Sequence, residues 1–208
     1  MTDLLPLSLT WPIGVMSYAG PSLTADKRAM EVSRQPCARD PARGTAGFTS
    51  DDVRALLAAT AADVCVVARA PFCVLSSLHG DDACVVAVQG ARSHGAPPAG
   101  TRWRVSDVPP ARQAVVSGRA VAPADRDAPR LTPEQRAALT GDAGLDSLAF
   151  IPLLSNGLVV GLMVLGDSRP RDLAEVAPQI GAIVRLAATV LAQDQRLDEL
   201  ERRNRVLH

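Results

Sequence analysis

Between Gly144 and Gly166 two apolar runs meet at Asn156-Gly157. That dipeptide tolerates the positive φ angles of a two-residue type I′ turn, so the pattern predicts a β-hairpin. In that hairpin Ser155 faces Leu158, Leu153 faces Val160 and Pro152 faces Gly161. Pro152 has no N–H to donate, which places its strand at an edge, a bulge or a cavity rather than inside a ladder. Phe150, Pro152 and Leu154 fall on one face, and Ile151 and Leu153 on the other. Both faces are apolar, so both must be covered. A sheet with helices on one side and a closed pocket on the other meets that demand.

The rest of the chain supplies the other elements. Phe72 to Leu78 and Ala83 to Gln89 read as strands around the turn residues His79-Gly80-Asp81-Asp82. Arg102 to Val105 alternates like a further strand. Upstream, Val53, Leu56, Leu57, Thr60, Val64 and Val67 recur at helical spacing behind a Thr49 or Ser50 cap, with Asp51 and Asp52 in the first turn and Pro71 as the stop. The β-branched run from Val64 to Val67 leaves a short strand as the alternative. Arg92 to Gly100 is a loop. Pro110 starts a short helix that Gly118 ends, and Thr132-Pro133-Glu134-Gln135 has the capping-box pattern of a helix closed by Gly141. Residues 91–145 are therefore short helices and loops set between strands.

After Pro170 the chain is helical to its end, with Pro178 either kinking that helix or starting its longer part. Counting sevens puts Val176, Ile183, Val190, Leu197 and Asn204 at one seam position and Leu186, Gln193, Leu200 and Leu207 at the other. Arg196 and Glu201 flank the seam where a parallel partner brings opposite charges together. The alternative is one amphipathic helix lying on the sheet as far as Val190. The charged stretch from Asp194 to His208 outlasts the body of the domain, which favours a parallel homodimer through a coiled coil. Residues 1–47 contain five prolines in no periodic pattern and read as a poorly ordered arm. The domain proper is expected over 48–192, with a helical extension over 193–208.

Composition narrows the function classes. Lys plus Arg equal Asp plus Glu at 22 each, so no general basic field recruits nucleic acid or anionic lipid. Aromatic residues make up 3% of the chain, too few for a base-stacking surface. No apolar run reaches the length of a membrane span and the start lacks the pattern of a secretory signal, so the expected compartment is the cytoplasm. Cys37, Cys65, Cys73 and Cys84 show no zinc-clamp spacing. A turn about Gly80-Asp81 sets Cys73 opposite Val88 and Cys84 opposite Ser77, out of register for a mutual disulfide, so both are expected as buried free thiols.

Three segments carry a family resemblance. Arg119-Ala-Val-Ala-Pro-Ala-Asp125 after a short helix, Asp146-Ser147 with Ile151-Pro152-Leu153, and Val160-Gly161-Leu162-Met163-Val164-Leu165 together resemble the second half of a GAF domain. The resemblance covers roughly residues 50–195. It implies an α+β, GAF/PAS-like fold: a central antiparallel sheet of five or six strands, helices on one face and a loop-covered pocket on the other. It also implies a sensor or regulatory module in signal transduction. A small ligand or partner protein alters the pocket, and the dimeric C-terminal helix passes the change to a downstream signalling protein. The non-sensor alternative is a dimerisation scaffold.

No enzyme motif accompanies these elements: there is no phosphate loop, no Gly-x-Ser-x-Gly and no His-Glu-x-x-His. Gly157-Leu-Val-Val-Gly161 belongs to the hairpin and precedes no Lys-Thr or Lys-Ser. Some haem-binding relatives use a histidine; His79 lies in a turn and His94 in the pocket-wall loop. No Cys-His pair exists to tether a bilin, and the Asn-Lys-Phe-Asp-Glu set of cyclic-nucleotide-binding members is absent. Free methionine sulfoxide reductases of this superfamily use cysteines on the loops over the pocket. Here the loop from Ala91 to Asp146 has none, which leaves only Cys73 or Cys84 on the strands for an attacking thiolate. The site is therefore expected to bind rather than to catalyse and to hold no metal. Trp103 and Phe150 are the rings expected to line it, and Arg104, Asp125 and Arg126 the polar groups expected to orient a ligand.

Overall fold

The computed structural model describes residues 50–90, 97–123, 131–140 and 144–206. The expectations for residues 1–47, and those for Asp125, Arg126 and His94, lie outside them. Five strands form one antiparallel sheet in the order β3-β2-β1-β5-β4, from β1 (Phe72–His79), β2 (Asp82–Gly90), β3 (Arg102–Arg104), β4 (Ser147–Ser155) and β5 (Leu158–Asp167). The helices are α1 (Ser50–Ala68), α2 (Pro109–Ser117), α3 (Pro133–Thr140) and α4 (Gly181–Val206). This is the expected α+β architecture.

The Asn156-Gly157 turn has φ of +51° and +77°, the pair of positive angles that a type I′ turn requires. Next to it Ser155 pairs with Leu158 as expected, but from Leu153 onward the register differs. Leu154 faces Val159, Leu153 faces Gly161 and Pro152 faces Leu162, so Val160 is an extra residue on β5. A bulge of this kind shifts every later pair by one and is not visible in alternation alone. A second bulge, opposite Leu75/Ser76, leaves Val86 as an extra residue on β2, so Cys73 faces Gln89 rather than Val88, while Cys84 faces Ser77 as expected.

Pro152 lies on the edge strand. Its neighbour Phe150 sends both backbone groups outward: the Val121 N–H donates to the Phe150 carbonyl at 2.9 Å, and the Phe150 N–H to the Val121 carbonyl at 2.8 Å. Two residues on, Pro152 shares that outward orientation, and its missing donor costs the β4–β5 ladder nothing.

The sheet separates two apolar layers. On one face α1 and α4, with Ile180 just ahead of α4, pack Leu57, Ala61, Val64, Ala187, Ala188 and Leu191 onto Cys73, Leu75, Ile151, Met163 and Leu165. Pro178 stands ahead of the long helix, so of the two readings it starts the longer part rather than kinking it. Residues 64–67 are helical, and α1 ends in a Schellman turn. Arg69, at φ +50°, donates its N–H to the Val66 carbonyl, and the Ala70 N–H donates to the Cys65 carbonyl.

One polar clasp closes this side. Arg171 Nε lies 2.6 Å from the buried Asp167 carboxylate, and the same guanidinium donates to the carbonyls of Ala68 and Arg69. It ties the end of β5 to the end of α1.

Candidate functional site

The opposite face of the sheet is the candidate site. Phe72 and Val74 of β1, Val85 of β2, Trp103 of β3, Phe150 of β4 and Leu162 and Val164 of β5 form one apolar layer. Trp103 reaches it because three-residue β3 alternates, Arg102 and Arg104 exposed and the ring between them turned inward. Helix α2 covers the layer through Ala111 and Ala114, whose small side chains let its backbone come close. Pro109 and Pro110 fix its first turn, and Gly118 at φ +65° ends it.

Two polar devices hold the cover. The Asp81 carboxylate, in the β1–β2 turn, accepts from the Ser106 hydroxyl at 2.6 Å and from the Ser106 N–H at 2.9 Å. The hydroxyl bond above all, helped by the charges of Arg104 and Arg112, holds this exposed carboxyl below its usual pKa. It anchors the 3-10 turn Val105–Asp107 that leads into α2. On the far side the capping box of α3 forms as its sequence requires. The Thr132 N–H donates to Gln135 Oε1 at 2.9 Å, and the Gln135 N–H donates to Thr132 Oγ1 at 3.2 Å. Gln135 Nε2 also donates to the Asp107 carbonyl, and Arg136 to the Leu145 carbonyl. These bonds join α3 to the turn before α2 and to the approach to β4.

Of the expected site residues, the structure brings Trp103 and Phe150 into the same buried layer. Arg104 is exposed near Asp81, on the strand face opposite Trp103. Sequence reasoning missed Asp81, read there only as a turn residue, and Ser76. Ser76 Oγ is fully buried on the α2 side of the sheet with no hydrogen-bond partner among the described residues. An unpaired buried hydroxyl costs about 1–3 kcal/mol, so this atom is the one polar demand in a layer otherwise apolar.

The thiols divide into two kinds. Cys65 and Cys73 are free. Cys84 is disulfide-bonded, which corrects the expectation of a free thiol there. Cys73 is free and so is not its mate. The contact with Cys65 first, and burial after it, push the Cys73 thiol well above its usual pKa, leaving it a poor nucleophile on its own. His79 is exposed at the end of β1. Among the described residues no group of three or more His, Cys, Asp and Glu is placed to hold a metal ion.

A profile of the GAF domain matches residues 52–193. The chain belongs to the GAF family. Among solved structures, the GAF domain/HD domain protein from Geobacter sulfurreducens is 15% identical at a TM-score of 0.52, with 71% of this chain and 97% of that one covered. The GAF domain of an Acinetobacter phosphoenolpyruvate-protein phosphotransferase is 13% identical at 0.54, covering 71% and 86%. A free methionine-R-sulfoxide reductase from Neisseria meningitidis, solved with its substrate, is 20% identical at 0.50, covering 70% and 81%. At these identities the likeness is one of fold. A search of curated proteins found no match. In this GAF domain the candidate site is thus the layer between the sheet and α2. No described helix is long and apolar enough to cross a membrane.

Proposed function

We propose that this GAF domain is a non-catalytic, cytoplasmic sensor. A small ligand or partner protein occupies the α2 side of the sheet, and a parallel α4 homodimer relays the change to a downstream protein. Trp103 and Phe150 supply flat apolar surface, Ser76 a hydroxyl for one ligand polar atom, and Arg104, Asp125 and Arg126 the rim that orients it.

The observation that carries the reading is that α4 has two apolar faces. Ala187, Ala188 and Leu191 are buried against the sheet, whereas Leu186, Leu197 and Leu200 stand 51%, 50% and 61% exposed. These three lie along the seam positions on the side of α4 turned away from the sheet, while Ile183 and Val190, also at seam positions, are half-buried and pack against the core. A helix that only lay on the sheet would have no use for the second stripe. Arg196 and Glu201, flanking it, suit a parallel partner.

Sedimentation of the full chain tests the dimer. Wild type is expected as a dimer and Leu197→Glu/Leu200→Glu as a folded monomer, since neither side chain touches the core; a monomeric wild type refutes the relay. A thermal-shift screen of nucleotides, amino acids and tetrapyrroles tests the ligand. A reproducible rise for one class, lost in Trp103→Ala, supports sensing, and a flat screen on an intact dimer leaves the scaffold reading in its place.

A further inference from the structure

Two free thiols lie outside the candidate site, on the helix-covered side of the sheet. Cys65 is in the last turns of α1 and Cys73 is the second residue of β1. Their meeting follows from the Schellman turn: with Arg69 left-handed and Pro71 behind it, the chain reverses within a few residues. This reversal lays β1 back against the helix it has just left. Cys73 is fully buried among Leu75, Met163 and Leu165, and Cys65 packs on the edge of the same cluster while keeping some exposure. The two thiols are close enough for each to shift the titration of the other.

We propose that Cys65 and Cys73 form a peroxide-oxidisable dithiol, in which Cys65 is the attacking thiol and Cys73 the resolving one. The asymmetry of the pair assigns these roles. Cys65 is the one a solvent-borne oxidant can reach. The contact with Cys73 holds the Cys65 thiol below its usual pKa, whereas that same contact first, and burial after it, hold Cys73 above. The first thiolate therefore forms on Cys65, beside a proton donor that stays protonated. In the first step the Cys65 thiolate attacks a peroxide oxygen, the O–O bond breaks, and Cys65 becomes a sulfenic acid as hydroxide leaves and takes up a proton to become water. In the second, the Cys73 sulfur attacks the sulfenic sulfur, the S–O bond breaks, and the Cys73 proton leaves with that oxygen as a second water. Two thiols have lost two electrons to one hydrogen peroxide, and a disulfide joins the end of α1 to the start of β1. Because α1 packs against α4, the lock forms beside the helix that carries the outward stripe.

The test uses the full chain and hydrogen peroxide. Cleavage after Arg69 puts the two cysteines on separate peptides, and further cleavage after Leu75 or Leu78 separates Cys73 from Cys84. Peroxide is expected to produce a Cys65–Cys73 cross-linked peptide that dithiothreitol removes. In Cys73→Ala the reaction is expected to stop at a Cys65 sulfenic acid trapped by dimedone, and iodoacetamide should alkylate Cys65 more slowly than in wild type at neutral pH. Cys65→Ser should leave Cys73 a thiol under the same treatment, and circular dichroism confirms that each variant is folded. The proposal is overturned if both thiols survive peroxide in wild type. It is equally overturned if wild-type Cys65 passes to sulfinic acid as fast as in Cys73→Ala, because then Cys73 resolves nothing.

Discussion

Gly161 is where the hairpin meets the long helix, and an added methyl there has a calculable effect. A Cβ built on it lies 2.7 Å from the Ser76 carbonyl oxygen, 2.7 Å from Leu191 Cδ1 and 3.0 Å from Leu153 Cδ1. Ordinary contact begins near 3.4 Å. Leu191 can turn aside, but the Ser76 oxygen belongs to the central strand and cannot move without disturbing both of its ladders. Forcing a methyl into such a site costs about 1–3 kcal/mol. Against this, alanine restricts the unfolded chain and returns about 0.4–1 kcal/mol. The net expectation for Gly161→Ala is a loss of about 1–2 kcal/mol. With a urea slope of about 2 kcal/mol/M, the unfolding midpoint falls by about 0.5–1 M. Gly157→Ala is the comparison: its Cβ meets nothing, so only the strain of φ +77° acts there. The double variant Gly161→Ala/Leu191→Ala apportions the clash. A loss smaller than the sum of the singles means Leu191 carries most of it, and an additive loss means the Ser76 carbonyl does. A Gly161→Ala protein as stable as wild type would refute the close approach of β5, β1 and α4.

Two further predictions concern charged groups. Arg171→Ala leaves the buried Asp167 carboxylate without its cation and frees two carbonyls at the end of α1, and should cost about 3 kcal/mol in chemical denaturation. Arg171→Lys should recover little of this, since one ammonium cannot serve the fork of three acceptors; full recovery would show that charge alone matters. Asp81 has its folded pKa held below the ordinary value, chiefly by the Ser106 hydroxyl. Its contribution is present above the unfolded pKa and lost as pH falls through the folded one. The gap in urea midpoint between wild type and Asp81→Asn should therefore be open at neutral pH and close in acid, and a gap that widens in acid would contradict the assignment.

The parts of the fold that were legible in the sequence are those set by residues near one another in it. Asn156-Gly157, the Thr132–Gln135 box and Gly118 each specify backbone geometry within four residues, and each forms as read. Registers were less legible because the bulges at Leu75/Ser76 and at Val160 depend on what packs above the sheet. The Asp81–Ser106 bonds span 25 residues and join two segments that read separately as turns, so no local pattern announces them. The ring pair Trp103 and Phe150 was legible because large apolar side chains on alternating strands have few places to go. The same alternation turns Arg104 to the strand face opposite Trp103. The Cys65–Cys73 contact needed the left-handed Arg69, which no sequence rule places, since glycine is the usual residue there.

The bulge at Val160 is also what joins the sheet of the candidate site to the proposed relay. Val160, the extra residue, is paired with no residue in either neighbouring ladder. Gln195 Nε2 donates to its carbonyl at 2.9 Å and to the Leu78 carbonyl at 3.0 Å. Gln195 lies on the sheet-facing side of α4 only two residues before Leu197, where the outward stripe leaves the body of the domain. A ligand that shifts the β4–β5 hairpin or the end of β1 must either carry Gln195 with it or break two hydrogen bonds worth about 1 kcal/mol each. The coupling this contact can transmit is thus bounded at about 2 kcal/mol, within the range of ordinary allosteric coupling and enough to change a seam equilibrium by roughly thirtyfold. A ligand held only by the α2 cover, leaving these two strand ends in place, would bind without signalling.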